Sequence, residues 1–352
     1  MKNFNTKLIC TDRAACPKRE NYVKSVDSCL KKWYEDCFET RRKYALSTSI
    51  EQRYHEFIKM HGFPLTEYDK YSGNYMAFNK ELYHSDEYCD YYKVVSNPFE
   101  GVEHYGILML PKGFDENKKY PLVIFNHGAN DGPEMVGSLF GFSFNYNHSA
   151  LRFIEKGIVV YAPQMMTWNP NAGYEAFYER ARYDKELKQM GGSFTAFELL
   201  IVRRIIDYFC AQSYVDAQKI GYAGLSWGGM YALHAGATDS RIKAVLSSCF
   251  FNDRRIFNWD DWSYKNQANT FFDSEVASLV LPRFLAIESG QEDPLFVKES
   301  ALKELENLKF YAKNFDCEDK LFFNLFKGEH EYNPEQDTID WFVEKLLFGK
   351  VE

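Results

Sequence analysis

Residues Ile220–Met230 read IGYAGLSWGGM and decide the fold. An apolar run leads into a sharp turn around Ser226, and an apolar, helix-like pattern follows the turn. This order predicts a buried strand, a tight turn and a helix, with Ser226 exposed where the strand ends. Gly224 and Gly228 fit this prediction, because a side chain at either position would collide with the neighbouring strand or helix. Ser226 is therefore a candidate nucleophile above the positive end of a helix dipole.

Composition and charge restrict the class of protein. The 352 residues are enough to bury a large core, and 45% hydrophobic with 26% charged residues is typical of a globular protein. The net charge of −8 comes from interspersed acids and bases without a basic stripe, which argues against a nucleic-acid partner. No apolar run approaches the length of a membrane span, and the N-terminus lacks the apolar core of a signal peptide. We therefore expect no membrane partner.

The cysteines carry no metal-binding pattern. None forms a C-x-x-C pair or lies with histidines at zinc spacing, and no H-E-x-x-H occurs, so we expect neither a metal nor a cofactor. Without a secretory signal, the expectation is reduced thiols in a cytoplasmic protein, with extracellular disulfides as the alternative. The cysteines are Cys10, Cys16, Cys29, Cys37, Cys89, Cys210, Cys249 and Cys317.

Apolar runs that alternate with helical patterns fill the chain from residue 86 to its end. The first two predicted strands form a hairpin, and the later ones are continuous apolar runs typical of strands buried on both faces. This pattern predicts an α/β fold with a mostly parallel sheet of about eight strands, helices on both faces, and one domain over residues 86–352. The predicted strands span about 91–95, 104–110, 121–125, 158–162, 220–225, 242–246, 282–289 and 321–326.

Residues 1–85 differ from the rest and predict a helical N-terminal extension. Apolar side chains recur at helical spacing in its first helix, and a second helix follows over about residues 50–60. Two interpretations stay open: an arm that covers part of the site or mediates a homodimer, or a structural flap packed on the main domain. The apolar positions of the first helix are Val23, Val26, Leu30, Trp33, Cys37 and Phe38.

Two long connections, about residues 163–192 and 250–281, predict lid-like insertions. Connections of this length inside a compact domain are usually functional or contain short helices. Their tryptophans and carboxylates fit the stacking and hydroxyl recognition of a sugar, and they fit an apolar lid equally. The candidate substrate-binding residues here are Trp168, Tyr174, Trp259 and Trp262.

The strand at 121–125 ends in Asn126-His127-Gly128-Ala129, which predicts a second functional loop. Enzymes with a nucleophile turn of this kind place an oxyanion donor after such a strand. We expect the backbone N–H groups of Ala129 and Trp227 to form the oxyanion hole. His127 is interpreted mainly as a histidine that braces this loop, and it is also a candidate to contact substrate.

A serine hydroxyl needs a base, and the base needs an orienting carboxylate. Asp293 and His330 each follow a buried strand, so both are expected at the same sheet edge as Ser226. The chain order of nucleophile, acid and histidine is the one that such a sheet uses. Glu288 at the end of the same strand is the alternative acid, and Glu292 is a third choice.

In combination, these motifs resemble the α/β-hydrolase superfamily, in the branch that contains dienelactone hydrolases and bacterial acetyl xylan esterases. The resemblance covers roughly residues 88–350 and implies an α/β-hydrolase fold, a Ser226–Asp293–His330 triad and esterase chemistry without a cofactor. Dienelactone hydrolases use a cysteine nucleophile where this chain has Ser226, which favours ordinary carboxylic esters over lactones. The resemblance rests on VIFNHG (123–128), VDAQKIGYAGLSWGGMYAL (215–233), TDSRIKAVLSSC (238–249), ESGQEDPLF (288–296) and GEH (328–330).

The resemblance implies esters of short acyl groups such as acetyl, carried by carbohydrates or small plant-derived alcohols. A serine peptidase of the prolyl-oligopeptidase type is an alternative, since such enzymes share the catalytic domain. A non-catalytic binding protein on a hydrolase scaffold is another, and acyl transfer to an alcohol other than water stays open.

Overall fold

The computed structural model describes residues 17–99, 101–129, 131–140, 143–166, 179–257 and 260–351. These residues form a nine-stranded sheet with the strand order β1-β2-β3-β5-β4-β6-β7-β8-β9. The strands are β1 (Phe78–Ser85), β2 (Cys89–Ser96), β3 (His104–Pro111), β4 (Tyr120–Asn126), β5 (Val159–Pro163), β6 (Val215–Leu225), β7 (Ile242–Ser248), β8 (Phe284–Gly290) and β9 (Leu321–Phe326).

Helices cover both faces of this sheet. One hydrophobic core contains Leu199 and Leu233, and the other contains Phe153 and Phe342. The helices are α1 (Pro17–Ser47), α2 (Ile50–His61), α3 (Pro133–Val136), α4 (Ser149–Ile154), α5 (Arg180–Gln189), α6 (Phe194–Cys210), α7 (Trp227–Gly236), α8 (Gln267–Thr270), α9 (Asp273–Val280), α10 (Lys298–Asn314) and α11 (Asp337–Phe348).

The sheet is parallel from β5 to β9 and antiparallel at the other edge, where β1, β2 and β3 form a meander. Strands β4, β5 and β8 are buried over nearly their whole length, as continuous apolar runs predict for strands covered on both faces. The parallel register brings the carboxyl ends of β4, β6 and β8 to one edge of the sheet. The predicted mostly parallel α/β architecture is confirmed.

The boundary of the N-terminal extension differs from the prediction. Its last eight residues, Phe78–Ser85, form the edge strand β1, which pairs antiparallel with β2. Seven of these eight side chains are exposed, so the segment lacks the apolar alternation by which a half-buried strand is recognised. Backbone pairing with β2, rather than side-chain burial, defines this strand.

The start of α6 lies before the local motif that resembles a helix start. Thr195 and Glu198 fit a capping box in the sequence, but the N-cap is Ser193, whose Oγ accepts a hydrogen bond from the Ala196 N–H at 3.1 Å. Thr195 instead accepts a hydrogen bond from the hydroxyl of Tyr264 at 2.8 Å. Both Thr195 and Glu198 are buried, so their polar groups serve contacts inside the domain.

The end of α1 and helix α2 each contact the second long connection. The Arg41 guanidinium donates to the Ala268 carbonyl at 2.5 Å and pairs with Glu275 at 3.3 Å. Arg53 donates to the Ser278 hydroxyl at 3.0 Å. The C-terminal part of the extension is therefore packed on the main domain, as the flap interpretation expects.

Two findings concern the cysteines and the membrane. The cysteines within the described ranges, Cys29, Cys37, Cys89, Cys210, Cys249 and Cys317, are all free thiols. Within the same ranges, no helix combines the length and the apolar character needed to cross a bilayer.

A buried histidine pair joins α2 to α7 and predicts acid sensitivity. The rings of His61 and His234 lie 5.0 Å apart, and burial lowers the pKa of His61 to about 3 and that of His234 as well. Unfolded imidazoles titrate near pH 6.5, so below this pH the unfolded chain binds more protons and the folded state loses stability.

His61→Phe should remove its part of this loss. Between pH 7.5 and pH 5.0 we expect the free energy of unfolding to fall by about 2 kcal/mol less in this variant than in the native protein. Urea unfolding at the two pH values measures the difference. His55→Phe, at an exposed position of the same helix, is the control. An identical pH dependence in native protein and His61→Phe would contradict the assignment.

Candidate active site

Ser226 lies at a strained turn between β6 and α7, with φ 58° and ψ −121°. Its N–H donates to the Ser248 carbonyl at 2.8 Å, which extends the pairing of β6 with β7 up to the turn. A Cβ on Gly224 would lie 2.2 Å from the Gly228 carbonyl oxygen, and one on Gly228 would lie 2.3 Å from that of Asn126. Only glycine fits at both positions, which is the steric requirement predicted from the sequence.

His330 and Asp293 form a hydrogen-bonded pair on the loops after β9 and β8. The Asp293 Oδ2 lies 2.8 Å from the His330 Nδ1. The other carboxylate oxygen accepts the N–H groups of Leu295 and Phe296 at 2.8 and 2.9 Å. The Phe296 ring stacks on the imidazole with ring centroids 5.5 Å apart. Because Nδ1 is engaged by the carboxylate, Nε2 is the nitrogen available to act as a base.

The two alternative acids do not contact His330. Glu288 is wholly buried, and its Oε1 accepts the Asn333 N–H at 3.0 Å. Burial raises the pKa of Glu288, and its contact fixes the chain just beyond His330. The side chain of Glu292 is exposed. The carboxylate that the structure brings to the imidazole is therefore Asp293.

The loop after β4 approaches Ser226 from the other side. A Cβ on Gly128 would lie 3.5 Å from the Cβ of Ser226. The Gly128 N–H donates to the Tyr146 hydroxyl at 2.6 Å, so this N–H is already engaged. Ala129 follows it on the loop, and Trp227 is the first residue of α7, where backbone N–H groups point out of the helix end. Both expected oxyanion donors thus lie on segments that flank the nucleophile.

His127 braces this loop. Its Nε2 accepts the Met165 N–H at 2.8 Å, so the ring proton resides on Nδ1 and is donated to the Gly128 carbonyl at 2.7 Å. Burial lowers the pKa of His127 to about 4, which keeps the ring neutral. The side chain is wholly buried with both ring nitrogens engaged, which supports the bracing role and leaves neither nitrogen free for a substrate.

Of the four aromatic candidates for substrate binding, Trp168, Tyr174 and Trp259 lie outside the described residues. Trp262 is buried and packs edge-on against Phe250 with ring centroids 5.5 Å apart. It lines a cavity of about 560 Å³ between α1 and the second long connection.

An aromatic wall connects this cavity with the histidine. Phe257 lines the cavity, and its ring centroid lies 5.0 Å from that of Phe296, which stacks on His330. The described lining residues of the cavity include none of Ser226, Asp293 and His330. The cavity is therefore beside the candidate catalytic residues rather than around them.

Arg180 organises the contacts beside the site, and no motif in the sequence predicts this role. It is wholly buried, and its guanidinium pairs with Glu198 and Asp261, each at 2.8 Å. The guanidinium carbon also lies 4.4 Å from the centroid of the Trp227 ring. Arg180 thus ties both long connections to α6 and to the first residue after the nucleophile. The available signal in the sequence was Glu198, an acid in the mostly apolar first half of α6.

Tyr146 is a second missed residue, and it holds the loop after β4. Its hydroxyl accepts the Gly128 N–H and donates to the Asp131 carboxylate at 2.8 Å. The adjacent Asn145 donates its side-chain amide to the His330 carbonyl at 3.1 Å. This short segment therefore contacts both the proposed oxyanion loop and the histidine loop. No motif in the sequence marks it.

A sheet of this order, with a strained serine turn after β6 and a carboxylate–histidine pair on the later loops, defines the α/β-hydrolase fold. Solved esterase structures share it. The glucuronoyl esterase from Solibacter usitatus superposes with a TM-score of 0.58 at 14% identity, over 81% of this chain and 92% of that one. The acetyl xylan esterase from Paenibacillus sp. R4 superposes with a TM-score of 0.55 at 16% identity, over 82% and 93%. Identities this low establish the fold alone.

Two curated proteins resemble the chain over part of its length. The uncharacterised protein YcjY of Escherichia coli (strain K12) is 26% identical over 157 residues, 44% of this chain and 44% of that protein. Dipeptidyl-peptidase 5 of Porphyromonas gingivalis is 32% identical over 143 residues, 40% of this chain and 18% of the peptidase. The chain thus aligns with less than half of either relative. No family model matches it.

Proposed function

We propose that the protein is a serine hydrolase of carboxylic esters that works through a Ser226–His330–Asp293 triad. The observation that carries the proposal is the hydrogen bond between Asp293 and His330, on the sheet edge where the strained turn presents Ser226. A serine at such a turn and an oriented imidazole together form the arrangement of enzymes that transfer acyl groups through a serine nucleophile. This chemistry requires no cofactor.

In the proposed reaction, the His330 Nε2 takes the Ser226 proton as the oxygen attacks the ester carbonyl. The Asp293 carboxylate holds the ring and stabilises the imidazolium that forms. The N–H groups of Trp227 and Ala129 stabilise the oxyanion of the tetrahedral intermediate, and His330 then protonates the leaving alcohol. Water attacks the acyl-enzyme by the same steps and releases the acid and free Ser226.

For the substrate we propose short acyl groups, such as acetyl, on carbohydrates or small plant-derived alcohols. The fold neighbours include an acetyl xylan esterase and a glucuronoyl esterase, which supports a carbohydrate ester. The aromatic wall of Phe257 and Phe296 beside His330 offers an apolar surface for part of the ester.

We propose no nucleic-acid or membrane partner, and the free thiols fit the reducing cytoplasm. A homodimer through the N-terminal helices remains part of this proposal.

A panel of chromogenic substrates tests the function. We expect p-nitrophenyl acetate to be hydrolysed faster than the butyrate, and the octanoate slowest, with Ser226→Ala as the blank. The partial match to a dipeptidyl-peptidase makes a peptidase the second candidate. Faster cleavage of dipeptidyl anilides than of esters would replace the esterase proposal with it. No turnover of either class by folded protein would favour a binding protein.

Tyr146→Phe should slow the ester reaction without disrupting the fold. The variant removes the hydroxyl that holds the Gly128 N–H and Asp131, so the oxyanion loop loses its support beside Ala129. We expect kcat to fall by about 10-fold to 100-fold with KM changed by less than about 3-fold, because the loop serves the transition state. Steady-state kinetics on p-nitrophenyl acetate measures both constants.

The control for this variant is Tyr332→Phe, since Tyr332 is equally buried in the same hydrophobic core. It should keep the native kcat. An unchanged kcat in Tyr146→Phe, or an equal loss in both variants, would contradict a positioning role for Tyr146.

A further inference from the structure

The N-terminal half of α1 carries an apolar face that the described residues do not cover. Every residue from 18 to 36 is exposed. At about 100° of rotation per residue, six large apolar side chains of this half fall within an arc of about 120°. Amphipathic helices are stabilised mainly by burial of such a face, so an uncovered one indicates a partner. The six are Tyr22, Val23, Val26, Leu30, Trp33 and Tyr34, with exposed fractions of 70, 57, 37, 44, 60 and 43%.

The apolar face has the same spacing in both chain directions. Counting outward from Ser28, Val26 and Leu30 lie two residues away, Val23 and Trp33 five, and Tyr22 and Tyr34 six. A second α1 that runs antiparallel, with a two-fold axis level with Ser28, therefore places an apolar side chain opposite each of the six. Such a face is complementary to itself, which is the property of an interface between two identical chains.

The charges at the two edges of this face select the antiparallel orientation. Lys18 and Asp36 lie on one edge, and Asp27 and Lys31 lie on the other, at the rotations given by helical spacing. The two-fold axis brings equivalent edges together, so Lys18 lies near Asp36 of the other copy, and Asp27 near its Lys31. A parallel pair would bring opposite edges together, where neither Lys18 nor Asp36 lies level with Asp27 or Lys31.

We infer that two copies of the protein form a homodimer through antiparallel packing of the residue 18–36 segments of α1. The six side chains expose on the order of 700 Å² per copy, close to the roughly 800 Å² that each partner buries in a stable interface. Tyr34 also lines the 560 Å³ cavity beside the candidate active site. The dimer therefore lies next to the aromatic wall that leads to His330, and it gives the homodimer proposed above its residues and its orientation.

Light scattering coupled to gel filtration tests the dimer with the full chain. We expect twice the chain mass for the native protein at about 10 µM, and a monomer for Leu30→Glu, which puts carboxylates next to the apolar centre of the interface. The dissociation constant should rise by about 100-fold or more, since charge at the centre of an apolar interface is strongly unfavourable. The fold should survive, because Leu30 lies in the exposed half of the helix.

The matched control is Leu302→Glu, at a helical leucine of α10 that is 39% exposed. It should stay dimeric. A native monomer up to about 50 µM, or a dimer that Leu30→Glu leaves intact, would overturn the inference. Neither measurement depends on catalysis, so failure of the esterase proposal would be seen separately in the substrate panel.

Disulfide trapping tests the orientation. Val23→Cys and Tyr34→Cys chains, each with serine at positions 10, 16, 29 and 37, should form a mixed disulfide dimer when combined and oxidised. Each chain alone should give little cross-linked product, because the two-fold axis brings residue 23 close to residue 34 of the other copy, on the same edge of the face, and keeps each position far from its own copy. If each chain cross-linked with itself and the mixture gave no additional mixed product, the antiparallel arrangement would be overturned.

Discussion

Replacing Ser226 with alanine should lower kcat for ester hydrolysis by about 10⁴-fold to 10⁶-fold. The remaining rate should still exceed that of the uncatalysed reaction in water, because substrate binding and the oxyanion donors are kept. Ser226 supplies the oxygen of the acyl-enzyme bond in the proposed reaction. The thiol of Cys249 lies within 4.8 Å of the side chains of Asp293 and His330, but it is buried and donates to the Glu331 carbonyl. The strained backbone at φ 58° is shared by the variant, so the turn itself should persist. Stopped assays on p-nitrophenyl acetate, with circular dichroism of the same samples, measure activity and fold together.

Ser289→Ala is the matched control for this loss. Ser289 is a buried serine near the end of β8, at the same edge of the sheet, and the proposed reaction gives it no role. This variant should keep activity within a few-fold of native. If Ser226→Ala retained most of the native kcat, another group would have to be the nucleophile and the triad would be wrong.

Asp293→Asn should give the second largest effect, a fall in kcat of about 10³-fold to 10⁴-fold. The carboxylate accepts the Nδ1 proton of His330 at 2.8 Å and two backbone N–H groups. An amide can present its NH₂ group to Nδ1, which stabilises the ring tautomer that has its proton on Nε2. That nitrogen is the one required to accept the serine proton, so the base is lost while the packing is kept.

Glu288→Gln separates the two candidate acids. The amide oxygen of glutamine can still accept the Asn333 N–H that Glu288 binds at 3.0 Å, so we expect kcat to stay within about 5-fold of native. Parallel kinetics of the two variants on one ester decide the assignment. A larger loss in Glu288→Gln than in Asp293→Asn would transfer the acid role to Glu288.

The parts of the site that the sequence predicts are those set by local chain geometry. A Cβ on Gly224 or Gly228 would lie 2.2 or 2.3 Å from a backbone oxygen, and this steric requirement for glycine is visible as a sequence pattern. The apolar runs of β4 and β8 locate the strand ends, so the loops that carry Ala129 and Asp293 follow from strand order. Chain order alone could not choose between Asp293 and Glu288, because both lie within five residues of one strand end.

The parts that the sequence does not predict depend on contacts between distant segments. Tyr146 lies 18 residues from Gly128, and Arg180 lies 81 residues from Asp261, so no spacing rule connects them. Glu198 looks like a helix cap because its position fits a local motif, but its carboxylate is used by Arg180 inside the domain. Strand β1 was missed for the complementary reason: its side chains are exposed and only its backbone is paired.

Helix α1 shows what periodicity can and cannot indicate. The spacing of Val23, Val26, Leu30 and Trp33 predicts a helix with one apolar face, and the helix is present. Periodicity does not say whether that face meets the rest of the chain or another molecule. Only the structure shows that the apolar face is exposed in the N-terminal half, whereas Arg41 and Ala45 are buried further along.

Active-site labelling with a fluorophosphonate, followed by peptide mass mapping, tests the central claim most directly. The reagent modifies serines that a neighbouring base activates, without requiring the correct ester. We expect one modified peptide carrying the label on Ser226, and no label on that peptide in His330→Ala. A folded native sample that takes no label, or takes it on a serine other than Ser226, would contradict the assignment of Ser226 as the nucleophile.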